Sequence, residues 1–186
     1  MRLSAETTGI DFREVIDTSH PKKFLYNSGF ACGGVALGDI DGDGRVDLFV
    51  VGNRGANRLY RQSGEFQFED ISASAGIEGG DDDWGSGAAM VDIDGDDDLD
   101  IYVCNYDRPN QLFLNTTHED RAPKFVESAA AFGLDIADAC LMPYFCDYDR
   151  DGDLDVYIVC YNLYPPGGYP ANADEVYEQV SPRPAF

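Results

Sequence analysis

One acidic spacing, D-x-D-x-D-x-x-x-D, occurs three times, and each copy runs straight into an apolar segment. The copies are Asp39, Asp41, Asp43 and Asp47; Asp92, Asp94, Asp96 and Asp100; and Asp147, Asp149, Asp151 and Asp155. The segments "GVALGDIDGDGRVDLFVVGN", "GAAMVDIDGDDDLDIYVCNY" and "PYFCDYDRDGDLDVYIVCYN" align without gaps, with first aspartates 53 and then 55 residues apart. Self-similarity at such a period marks a repeat architecture in which each unit is one supersecondary element. The match continues into "NRLYRQ" and "NQLFLN", each 18 residues after the first aspartate of its unit, and then into "FQFEDISASAGI" and "KFVESAAAFGL".

Each full unit reads as four short strands: a small-residue strand, the acidic turn, an apolar strand, then two more. The strand after the turn is apolar on both faces, as in Leu48–Val51, Ile101–Val103 and Val156–Val159. Such a strand needs cover from two sides. Four-stranded antiparallel units stacked on one another describe blades of an all-β propeller. The expected division is residues 1–30 as the end of a preceding blade, 31–83 as the first repeat, 84–138 as the second, and 139–186 as a partial third. The third departs at Pro165, where a Pro/Gly-rich insertion replaces the third strand. Two full blades with a partial one at each end are a fragment of a larger propeller, since propellers use four to eight blades.

Unit charges ~4–5 Å apart repel by about 3–4 kcal/mol at an effective dielectric near 20. Four converging carboxylates therefore demand a counter-charge. A hard cation such as Ca²⁺ takes six to eight oxygens in flexible geometry, whereas Mg²⁺ insists on a strict octahedron. The expected ligands are the twelve aspartates above and the backbone carbonyls of Arg45, Asp98 and Asp153 at position seven, for about three Ca²⁺ in all. Gly44 and Gly152 at position six suit a left-handed bend. Asp97 stands there in the second copy, which predicts a weakened second site. An EF-hand is excluded because its position twelve requires Glu, and this chain has Val50, Val103 and Ile158.

A net charge of -22 argues against nucleic acid and anionic membrane surfaces as partners. No apolar run is long enough for membrane insertion as a helix, and the N-terminal residues contain no secretory signal. His20 and His118 read as surface residues, and Trp84 beside Asp81, Asp82 and Asp83 reads as packing between blades next to a solvated loop. Phe49, Tyr102 and Tyr157 hold equivalent strand positions and read as blade packing. Asn115 heads an "NTT" sequon. The five cysteines, Cys32, Cys104, Cys140, Cys146 and Cys160, read as small buried hydrophobes. Cys32 and Cys140, at equivalent positions two blades apart, are expected not to be bonded.

"GVALGDIDGDGRVDLFVVGN", "NRLYRQ" and "DISASAGI" resemble the FG-GAP/VCBS repeats of calcium-binding propellers, in particular those of ASPIC/UnbV-type and cartilage acidic protein-like chains. The resemblance spans roughly residues 10–164. It implies a seven- or eight-bladed propeller, Ca²⁺ in the hairpin loops, an extracytoplasmic or secreted setting, and adhesion or binding of a protein or glycan ligand without catalysis. The alternative is a polysaccharide-processing lyase or hydrolase, or its accessory domain. That reading needs a single non-repeated polar cluster, for which Trp84 and its neighbouring carboxylates are the candidate.

Overall fold

The computed structural model describes residues 3–31, 33–53, 57–77, 79–80, 83–117, 122–161 and 163. Cys32, Asp81, Asp82, His118 and the Pro/Gly-rich insertion from Pro165 onward lie outside the described residues. The first blade is β1 (Val35–Gly38), β2 (Asp47–Val50), β3 (Arg58–Gly64) and β4 (Gln67–Asp70), hydrogen-bonded in that order and antiparallel throughout. The second is β5 (Gly85–Val91), β6 (Asp100–Pro109), β7 (Gln111–Asn115) and β8 (Phe125–Glu127), again a meander. A hairpin of β9 (Ala137–Cys146) and β10 (Asp155–Tyr161) follows. The chain is all-β, and its described residues form two four-stranded blades and the first two strands of a third.

Burial along β6 shows how the blades stack. Ile101 and Val103 enter a core shared with Phe49, Val51 and Leu59 of the first blade. Tyr102 and Cys104, pointing the other way, pack with Cys140, Phe145 and Ile158 of the terminal hairpin. A two-faced apolar strand is thus covered from both sides, as its sequence requires. The flanking units have one neighbour each among the described residues, and their outer faces are open. Val35 and Leu37 on β1 are exposed, as are Tyr144 and Tyr157 on the terminal hairpin. Tyr157 is 72% exposed while its counterparts Phe49 and Tyr102 are fully buried, so the packing role expected of all three fails for Tyr157.

The inner strands lie backbone against backbone, which only glycine permits. A Cβ on Gly87 of β5 would sit 2.2 Å from the carbonyl oxygen of Leu141 on β9. A Cβ on Gly34, just before β1, would sit 2.7 Å from Gly87 Cα. Trp84 closes the joint between blades from the side. It is 1% exposed, packs with Leu25, Phe30, Tyr106 and Ala139, and donates its indole N–H to the Phe30 carbonyl at 2.8 Å. The packing expectation for Trp84 holds, and the residue is no exposed platform.

Three features depart from a simple row of blades. The far end of β6 leaves β5 and pairs with β9, Tyr106 opposite Ala139 and Pro109 opposite Ala137, so the second blade and the terminal hairpin share one sheet. A register shift between Tyr106 and Arg108, with Asp107 at φ 56°, turns the strand toward its new partner. One-turn helices, α2 (Ser72–Ala75) and α3 (Ala129–Phe132), follow the fourth strands and end at left-handed Gly76 and Gly133; a third, α1 (Ala5–Thr8), lies near the N-terminus. The repeated "SASAG" and "AAAFG" carry that helix-stop signal.

Cys140 and Cys160, directly opposed on β9 and β10, form a disulfide. This corrects the reading of all five cysteines as packing residues, because antiparallel register brings together two that are 20 positions apart in sequence. Cys104 is buried, and burial pushes its thiol up to about 12; Cys146 is exposed. Since Cys140 is bonded to Cys160, it does not pair with Cys32.

Gly87→Ala is expected to destabilise the fold by about 2–3 kcal/mol, because backbone rather than a flexible side chain must yield. Gly29→Ala, where a Cβ meets nothing within 4 Å, is expected to stay within about 0.5 kcal/mol. Denaturant unfolding of the two variants checks both.

Candidate metal centres

Each acidic turn is wound by its own backbone N–H groups donating to its carboxylates. In the first, Asp39 accepts from Asp43 N–H at 3.1 Å and from Gly44 N–H at 2.8 Å. In the second, Asp92 accepts from Asp96 N–H at 3.1 Å and Asp97 N–H at 3.0 Å. In all three, the N–H of position seven donates to the carboxylate of position five: Arg45 to Asp43, Asp98 to Asp96, Asp153 to Asp151. Such bonds satisfy the N–H groups of a tight loop and hold the acids on its concave side.

The winding needs left-handed backbone at two positions. Position six has it, at Gly44 (φ 84°), Asp97 (φ 72°) and Gly152 (φ 100°). Position four has it as well, at Gly42 (φ 64°), Gly95 (φ 78°) and Arg150 (φ 66°), which sequence reasoning missed although two copies carry glycine there. Substitution at these glycines is opposed by φ alone, since a Cβ would meet nothing within 4 Å. The second and third copies therefore each hold one non-glycine in strained backbone.

The result is convergence. Asp39, Asp41 and Asp43 offer oxygens that lie within 4.8 Å of one another, as do Asp92, Asp94 and Asp96. In the third turn the group is Asp147, Asp149 and Asp155. Asp151 lies outside it; the Asp153 N–H lowers its pKa, while Asp153, sharing a hydrogen bond with Asp151, is raised.

Asp47 and Asp100, at position nine, are placed differently from the other acids. Both are 1% exposed. Asp47 accepts from Ile40 N–H at 3.0 Å and Gln62 N–H at 2.8 Å, so one carboxylate joins the start of the turn to the end of β3. Asp100 repeats this with Ile93 N–H and Asn115 N–H, both at 2.8 Å, tying its turn to β7. Asp155 accepts from Tyr148 N–H at 2.8 Å, the equivalent of the first bond. With no third strand beside β10 among the described residues, Asp155 joins the convergent group instead. Burial raises the pKa of Asp47 and Asp100, opposed by the N–H bonds, and burial followed by Asp96 and Asp92 raises Asp94.

Asn115 is also buried. Its amide donates to the carbonyls of Ile40 at 3.0 Å and Leu99 at 3.1 Å, linking the first and second turns. The sequon asparagine is thus a structural bridge between blades and is not presented for modification. A polar recess of about 480 Å³ is lined by Asp11, Arg13, Glu14 and Arg58 among others. Its acids are engaged, Asp11 accepting from the Tyr60 hydroxyl at 3.1 Å and Glu14 from Asn53 N–H at 2.8 Å.

The donor set suits a hard cation: three carboxylates converge in each turn and no soft ligand is present in any group. The FG-GAP-like repeat model matches residues 39–103 and 92–158, so that each match opens on the first aspartate of a turn. The chain belongs to the FG-GAP-like repeat family. It is 30% identical over 128 residues to cartilage acidic protein 1 of Xenopus tropicalis and 29% identical over 134 residues to that of Homo sapiens, 67% of this chain in both cases. It spans only about a fifth of these relatives' length, 19% and 18%. Among the described residues, no helix is long and apolar enough to cross a membrane.

Two outcomes follow. Asp97→Gly and Arg150→Gly, each relieving a side chain in left-handed backbone, should stabilise the protein by about 0.5–1 kcal/mol in denaturant titrations. In chelator, stability should rise on acidification from neutral pH. The folded pKa values of Asp47, Asp94 and Asp100 lie above the ordinary 3.8, so the native state binds protons more tightly between 3.8 and those values. Excess Ca²⁺ should reverse the trend, because liganding carboxylates must be ionised. Thermal melts stepped from pH about 7 down to about 4, the ordinary carboxylate range, read both signs.

Proposed function

We propose that this chain is a Ca²⁺-stabilised propeller segment, serving structure and the binding of a protein or glycan ligand outside the cytoplasm. The observation that carries it is the convergence of three carboxylates in each repeated turn. Holding three negative charges within 4.8 Å is unfavourable without a counter-charge, and hard oxygen donors select Ca²⁺. Asp39, Asp41 and Asp43, Asp92, Asp94 and Asp96, and Asp147, Asp149 and Asp155 would hold it. Asp47 and Asp100 support their sites from the rear by fixing turn to strand, and the carbonyls of Arg45, Asp98 and Asp153 remain candidate further ligands.

An extracytoplasmic setting is supported by the Cys140–Cys160 disulfide, which persists in oxidising compartments. The exposed apolar residues of β1 and the terminal hairpin support a life against further surfaces, whether other blades or a ligand. Binding is expected to avoid polyanions, given a net charge of -22.

Calorimetric titration with Ca²⁺, paired with melting in calcium and in chelator, tests this reading. Saturating Ca²⁺ should raise the melting temperature by on the order of 5–10 °C, with Mg²⁺ much less effective. Identical melts with and without chelator would refute a structural metal.

A further inference from the structure

The three turns share a spacing but not a charge environment. In the first, Arg61 on β3 reaches back over the turn, its Nε 2.6 Å from Asp41 Oδ2 and its Nη2 3.5 Å from Asp43 Oδ2. The Arg45 guanidinium contacts the same Asp43 oxygen, and its Nε donates to the Gln62 carbonyl at 2.8 Å. The Asp41 side chain is fully buried, and its Oδ2 and Arg61 Nε lie close but too poorly aligned to hydrogen-bond. Asp41 Oδ2 is therefore balanced by charge while its acceptor capacity is unused, which is a costly state for a buried oxygen.

The other turns lack these cations. Arg45 is replaced by Asp98 and Asp153, and Arg61, by register along the third strand, is replaced by Leu114. The first turn thus holds four carboxylates and two guanidinium groups, whereas the second holds six carboxylates, Asp97 and Asp98 included, and no cation. The third has five carboxylates with Arg150, and among the described residues no third strand from which a guanidinium could reach over it.

We infer that Arg61 is a tethered counter-cation that occupies the electrostatic seat of the first turn and makes it the weakest of the three for Ca²⁺. This rests on the Ca²⁺ reading above and reverses the order expected from Asp97 alone. Strain at position six costs a fraction of a kcal/mol for Asp, whereas a fixed positive charge within 3–4 Å of two ligands opposes a divalent ion far more. Because the guanidinium bridges the turn to β3, the first turn keeps its shape without metal, and the second and third depend on it.

The test is Ca²⁺ titration by calorimetry of the full chain, with Asp92→Ala/Asp147→Ala isolating the first turn and Asp39→Ala/Asp147→Ala isolating the second. The first turn should bind at least about tenfold more weakly than the second. Arg61→Leu, which installs the residue of the second repeat, should tighten the first turn about tenfold, and Arg61→Lys should leave it weak. The reciprocal Leu114→Arg should weaken the second turn by a similar factor, so the inference survives if one variant fails to fold. In chelator, Arg61→Leu should lower the melting temperature. Equal affinity at the first and second turns, or unchanged first-turn affinity in Arg61→Leu, overturns the inference while leaving Ca²⁺ binding intact. Absence of Ca²⁺ binding at every turn overturns the underlying reading and the inference with it.

Discussion

Three carboxylates forced together in each turn are the constraint on which the rest of the molecule turns. Backbone N–H groups at positions five, six and seven wind the loop around the acids, and left-handed residues at positions four and six make that winding possible. Mutual repulsion opposes the result, and a positive charge among the acids offsets it. In the first turn the protein supplies part of that charge through Arg61 and Arg45. The second turn holds its acids with no guanidinium at all, and the third has Arg150 in the loop but, among the described residues, no third strand to carry a counterpart of Arg61.

The turns are also fastened to the sheets. Asp47 and Asp100 each accept one N–H from the start of their turn and one from the end of the third strand, so loop shape and strand register are set by one side chain. Asn115 extends this link from blade to blade through the carbonyls of Ile40 and Leu99. Neutralising a turn therefore bears on packing as well as on local geometry. Beneath the turns, Gly34, Gly87 and β9 approach so closely that the inner strands form one joint, with Trp84 sealing its flank.

Much of this is legible in the residues themselves. The period, the four strands of each full unit and, in the first two turns, the convergent acids at positions one, three and five follow from patterns that are local in sequence. A hairpin folds against itself within a dozen residues, and its spacing carries its geometry. The two-sided burial of Ile101, Tyr102 and Val103 is readable in the same way. Less legible are the left-handed residues at position four, hidden because Arg150 breaks the glycine pattern, and the one-turn helices, whose Ser/Ala runs are too short to show a helical period.

By itself, then, the chain's sequence determined the blade, the turn and the placing of acid beside apolar strand, because these depend on neighbours a few residues away. Tertiary structure decided which acids face one another and which are spent on backbone. Asp47 and Asp100 are drawn off by strands that arrive 15 residues later, while Asp155, with no such strand among the described residues, stays with its group. It also decided that Arg61 reaches the first turn, that Cys140 meets Cys160 and that Tyr157 lies open. Each of these turns on register or on the presence of a neighbouring blade, and a distance between residues far apart along the chain is set only when the sheets have closed.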